Sequence, residues 1–323
     1  MLLMLVIVLL ALAVSNISPL ILITADVHCS EKEVPFPGNV CKQFDKSYEE
    51  AYNYLFSHLP SWDRSNADSL GFHNSTGEDV DGLDEGIATL GINISLAAKQ
   101  KYFWAGNTSQ DLYFEYVVTF SHVNEARNNW RPFLSQVVDR ILADHLDIQD
   151  TSLTLEDIVK VVNTNLWVRH YLGNDVVFKS SQTPLIYDPM STLVYGYASC
   201  TGVSILLADA LRAAGIPVRL AGTPAWNGET SNGNHNWIEV YDHRTNQWSF
   251  IEAQPAGGGE SLADPCDKWF CNPAKMEGGT QVFATRWQFD EERTVYPMAW
   301  DRRNLEIPGV NRTEYYQAVC NAC

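Results

Sequence analysis

The stretch from position 200 to 217, CTGVSILLADALRAAGIP, constrains what this chain can become more than any other. Val203, Leu206, Leu207, Ala210, Leu211 and Ala214 recur at spacings of three and four, the period of a helix with an apolar side. Gly215 and Pro217 follow as a stop signal. VRLAGT at 218–223 then reads as a strand. Residues 234–242 read as another, with period-two alternation, and 247–252 as a third after the turn-prone His243-Arg-Thr-Asn246. A helix, a strand and a hairpin must therefore be packed together in this half of the chain.

The first half reads mainly as helix. Ser47-Tyr-Glu-Glu50 matches a capping box and opens a helical pattern that Pro60 stops. Residues 83–104 carry Ala88, Ile92, Leu96 and Ala97 at helical spacing, interrupted by Gly86 and Gly91. A clearer amphipathic pattern, with Trp130, Leu134, Val137, Val138 and Ile141, spans 128–145. Thr154 is a suitable N-cap for a further helix to about 171, with Ile158, Val161, Val162, Leu166 and Val168 on its apolar side. The expected organisation is a leader at 1–25, a mainly helical region at 26–150, a core at 151–260 and a Cys-containing tail at 261–323.

Residues 2–14 form an apolar run of the length expected for a secretory h-region, with small-residue cleavage positions at Ser15 and Ala25. No Lys or Arg precedes the run, and apolar character resumes after Ser15, so an uncleaved signal anchor is the alternative. The secretory pathway or its lumen is the expected location. Sequons at Asn74, Asn93, Asn107 and Asn311 fit export in a eukaryotic secretory route. A net charge of -17 and the absence of a Lys/Arg cluster argue against nucleic acid or an anionic membrane surface as partner.

The chain has seven cysteines, and an exported protein should close an even number of them into disulfides. Cys29, Cys41, Cys266, Cys271, Cys320 and Cys323 lie in pairs toward the ends, so neighbouring cysteines are the expected partners: 29 with 41, 266 with 271, 320 with 323. Cys200 stands apart. At the start of a helix, unpaired N–H groups and the helix dipole lower a thiol's pKa, which suits a nucleophile. A buried, inert cysteine is the plainer reading of the same position.

A nucleophilic cysteine needs a base. An even turn centred on Arg244-Thr245 pairs Trp237 with Glu252 and sets His235 opposite Gln254. His235, Trp237, Glu239 and Tyr241 then share one face with Trp248, Phe250, Glu252 and Gln254. His235 and Glu252 become diagonal neighbours, within bridging reach. With Cys200 they have the roles of nucleophile, base and orienting acid. A slip of one residue would hand the orienting role to Gln254 or Asp242.

SCTGVSILLADALRAAGIPVRLAG, NHNWIEV and QWSFIEAQP together resemble the three successive blocks of the transglutaminase-like superfamily core. The likeness runs from about 154 to 255. It implies an α+β, papain-like fold with the cysteine helix packed on an antiparallel sheet. It also implies a Cys200, His235, Glu252 triad that acts on protein or peptide amide bonds through a thioester, with no cofactor and no metal. Two positions depart from the family: Glu252-Ala253 stands where Asp-Pro is usual, and Ala198 where Gly is common. The Cys200 backbone N–H, with Tyr195, Tyr197 or Trp237, would stabilise the oxyanion. Hydrolysis is the expected outcome. A crosslinking transglutaminase, a deglycosylating amidase and an inactive secreted interaction module of the same fold remain as alternatives; no EF-hand pattern for calcium is present.

Overall fold

The computed structural model describes residues 33–36, 40–43, 46–72, 86–258 and 261–323. The leader, Cys29 and Asn74 lie outside these residues, as does the expected 29–41 disulfide. Two short strands, β1 (Glu33–Phe36) and β2 (Val40–Gln43), pair antiparallel within a first unit, Met1–Asp45. They are strands in a region the sequence reads as helical. The second unit, Lys46–Cys323, holds everything described below.

Its helical layer contains α1 (Lys46–Ser57), α2 (Ile87–Lys101), α3 (Arg131–His145) and α4 (Leu155–Asn165). Thr154 caps α4 in a capping box: its hydroxyl accepts from Asp157 N, and Asp157 accepts from Thr154 N at 2.8 Å. Helix α1 starts at Lys46, one residue ahead of the Ser47 at which the sequence places the box. Beyond α4 the chain forms β3 (Val177–Phe178), α5 (Pro189–Tyr195) and β4 (Tyr197–Ala198); β3 and β4 pair in parallel.

The long apolar helix, α6 (Cys200–Ala213), is buried at every residue from Thr201 to Ala213. It packs against α2, α3 and α4 on one side and the sheet on the other, which accounts for its apolar residues all round. Gly215 closes it with a left-handed φ of 74°, and the Trp104 indole donates to Ala214 O at 2.9 Å.

The sheet has five antiparallel strands in the order β7-β6-β5-β8-β9: β5 (Val218–Thr223), β6 (His235–Asp242), β7 (Gln247–Ile251), β8 (Phe283–Thr285) and β9 (Gly309–Asn311). Strand β5 is central and wholly buried. The hairpin register follows the expected turn: Asp242 pairs with Gln247, Glu239 with Phe250 and Ile238 with Ile251. Two of the strands come from residues 261–323, so the segment read as a tail completes the sheet.

A last helix, α7 (Thr313–Cys320), brings the C-terminal cysteines onto the 266–271 loop. Disulfides join Cys266 to Cys323 and Cys271 to Cys320. The pairing of sequence neighbours is therefore corrected to a nested, long-range pair. Their placement is tertiary: α7 docks on the hairpin through Tyr316, which accepts a hydrogen bond from Trp237 at 2.6 Å. Disulfides of this kind fit an oxidising compartment. Among the described residues, no helix is long and apolar enough to cross a membrane.

Candidate active site

Cys200 is the first residue of α6 and the free cysteine among the described residues, half-buried. Ser199 precedes it in extended conformation and gives the helix no side-chain cap; its hydroxyl bonds Thr183 instead. The first N–H groups of α6, with the positive end of its dipole, are therefore left facing the Cys200 end.

His235, the first residue of β6, is buried, and its Nε2 bonds Oε1 of Glu252, just beyond the end of β7. That contact commits Nε2 and leaves Nδ1 as the other ring nitrogen, and the ring interacts with the nearby Cys200 thiol. Burial by itself would raise the thiol's pKa. The hydrogen bond and charge of His235, the Asn236 backbone N–H and the Thr201 hydroxyl outweigh it and hold the thiol below its ordinary value. Burial would likewise lower the imidazole, but the bonds and charges of Cys200 and Glu252 push it up to about 9. A lowered thiol beside a raised imidazole favours a thiolate–imidazolium pair.

Several residues outside the sequence reading hold this geometry. Asn236 clamps the helix to the sheet: Thr201 donates to its Oδ1 at 2.8 Å, Ser204 to its backbone carbonyl at 3.1 Å, and its own Nδ2 donates to Tyr296 at 2.5 Å. Gly222 makes this approach possible, because a Cβ there would lie 2.2 Å from Asn236 Nδ2. On α4, Asn163 grips the backbone around the acid, donating to Glu252 O at 2.9 Å and accepting from Gln254 N at 3.0 Å. Its sequence signal is a buried amide beside Val162 on an otherwise apolar helix side. Trp269 and Phe270 press on the imidazole with ring centroids at 4.8 and 5.4 Å, on a loop held by both disulfides.

The oxyanion candidates separate. Trp237 is fully buried and its indole N–H is committed to Tyr316, which takes it out of that role. Tyr195 is exposed and Tyr197 half-buried, their rings 6.1 Å apart just ahead of Cys200. Of the sequons, Asn107 and Asn311 are exposed and Asn93 is half-buried within α2.

Residues 147–253 match the family described as the transglutaminase-like superfamily, a stretch that contains Cys200, His235 and Glu252. That part of the chain is similar to the transglutaminase-like superfamily, and its mix of helices with an antiparallel sheet is the architecture described above. Among solved structures, one described as a "Putative Cysteine Protease from Cytophaga hutchinsonii" is similar at 15% identity, with a TM-score of 0.27, over 59% of this chain and 66% of that one. It carries no weight for activity or substrate. No curated protein matches the chain.

Proposed function

We propose that the protein is a secreted cysteine-dependent amide hydrolase in which Cys200 is the nucleophile, His235 the general base and acid, and Glu252 the orienting carboxylate. The observation that carries this reading is the hydrogen bond from His235 to Glu252 beside a thiol that the imidazole holds below its ordinary pKa. The thiolate attacks the carbonyl carbon of a carboxamide or peptide, forming a C–S bond. The C–N bond then breaks, and His235 gives its proton to the leaving amine. Water, deprotonated by His235, attacks the thioester to release the carboxylic acid and restore the thiolate. The backbone N–H of Cys200 supports the oxyanion, with Tyr195 and Tyr197 as the remaining side-chain candidates. Water is the acceptor we assign.

Cys200 should react with iodoacetamide at neutral pH faster than a simple thiol, and His235→Ala should slow the reaction. An inert Cys200 in the folded protein would overturn the reading. A glutamine-containing peptide incubated with and without a fluorescent primary amine separates the two outcomes of the thioester by product mass: net deamidation supports hydrolysis, and predominant amine incorporation would make the protein a crosslinking transferase. Turnover should fall above about pH 9, where the imidazolium that protonates the leaving amine is lost.

A further inference from the structure

Large apolar side chains are left exposed unevenly. Five of them, Val177, Phe178, Leu185, Val194 and Tyr195, come from the segment that leads into Cys200, and a sixth, Trp269, packs on His235. Leu185 is 81% and Val194 73% exposed, values that cost solubility unless something covers them.

The elements carrying these side chains are joined around the proposed triad. Strand β3 pairs with β4 in the register Val177 to Tyr197 and Phe178 to Ala198, and β4 runs through Ser199 into Cys200. The same β3 lies against the turn Gln254–Ala256, directly after Glu252. Gly257 closes that turn, and a Cβ there would sit 3.8 Å from Trp269 Cδ1 and 3.9 Å from Glu252 Oε2. The apolar positions on β3, on the end of α5 and at Trp269 thus form a rim from the entry of the cysteine helix, past the acid, to the ring on the base.

We propose that this rim binds the acyl-donor side of the substrate, and that the substrate is a polypeptide with large apolar residues flanking the reacting carboxamide. The inference rests on Cys200 being the nucleophile. The protein's charge of -17 also repels acidic chains.

The test uses two peptidyl chloromethyl ketones of equal length, one carrying Leu and Phe beside the reactive carbon and one carrying Asp and Ser. Each alkylates the Cys200 thiolate with loss of chloride, so the rate needs no knowledge of the acyl acceptor. The apolar probe should inactivate at least about ten-fold faster, the discrimination one or two well-placed apolar contacts provide. The exposed double substitution Phe178→Ser/Val194→Ser should shrink that ratio below about three-fold, whereas Phe133→Ser, an exposed change on α3, should leave it unaltered. Equal rates, a preference for the acidic probe, or a preference that survives the double substitution would overturn the proposal. Iodoacetamide run alongside separates the two readings. If it labels Cys200 while the probes are indiscriminate, the rim assignment alone fails; if Cys200 is inert to every reagent, the nucleophile assignment fails and this one with it.

Discussion

Two buried histidine–carboxylate pairs meet α6, and they differ in almost everything but composition. At its N-terminal end His235 bonds Glu252 and interacts with the Cys200 thiol. Further along the same helix, His122 Nε2 lies 3.1 Å from Asp209 Oδ1 with both side chains enclosed. Burial, and then the charges of Arg212, Arg131 and Arg127, hold His122 well below the usual histidine value. Burial also lifts the Asp209 carboxyl well above its usual range against the pull of Arg212 and Arg131. One histidine is buried among arginines and gives up its charge; the other faces a thiol and gains one. A histidine beside a carboxylate does not define a reactive site. The sign of the surrounding charge and a half-open nucleophile do.

The most direct way to break this contrast is the same amide substitution in both pairs. Glu252→Gln should lower turnover by about 10²–10⁴-fold through misplacing the imidazole and its proton. Asp209→Asn should leave turnover within about three-fold, since its partner is His122 and not a residue of the proposed triad. Equal losses, read in steady-state rates, would mean that both pairs serve the reaction.

A second comparison is in stability. Arg212 donates to the carbonyls of Thr119, Ser121 and Val218. Arg212→Met leaves those acceptors buried and should cost about 3–5 kcal/mol in urea unfolding, without altering the iodoacetamide rate of the folded protein. Third, Cys271→Ser with Cys320→Ser opens a bridge spanning 49 residues and should cost about 2–4 kcal/mol. It should also slow Cys200 alkylation, because the loop carrying Trp269 and Phe270 is freed from the base.

The smallest effect is a difference of sign with pH. His235 is raised in the folded state, so its contribution to stability is full below pH 6.5 and is lost as pH climbs to about 9. His122 is lowered, so the unfolded chain takes up a proton that the folded one refuses, and stability falls as pH drops below 6.5. Unfolding midpoints of His235→Gln and His122→Asn at pH 5, 7 and 9.5 should converge with wild type at opposite ends of that range.

The parts of the site legible in the sequence were those fixed by local rules. A four-residue turn dictates the register that puts His235 and Glu252 on one face, and the three-and-four spacing with Gly215 dictates α6. What stayed hidden depends on docking. Strands β8 and β9 have three residues each, too few to show alternation, so the segment supplying them reads as a tail. The disulfide partners of Cys266 and Cys271 are chosen by where α7 lands, which no spacing encodes. Trp237 looked available to an oxyanion because alternation places it on the face of His235, yet its N–H turns to a tyrosine on that same helix.

The nested disulfides also bear on when the protein can become active. The loop that presses Trp269 and Phe270 onto the imidazole is secured by cysteines made 49 and 57 residues later. While the chain emerges in order from a ribosome, Cys200, His235 and Glu252 can meet long before that clamp closes. Closing the clamp on the proposed base is thus set by the arrival of the distal cysteines and an oxidant for them.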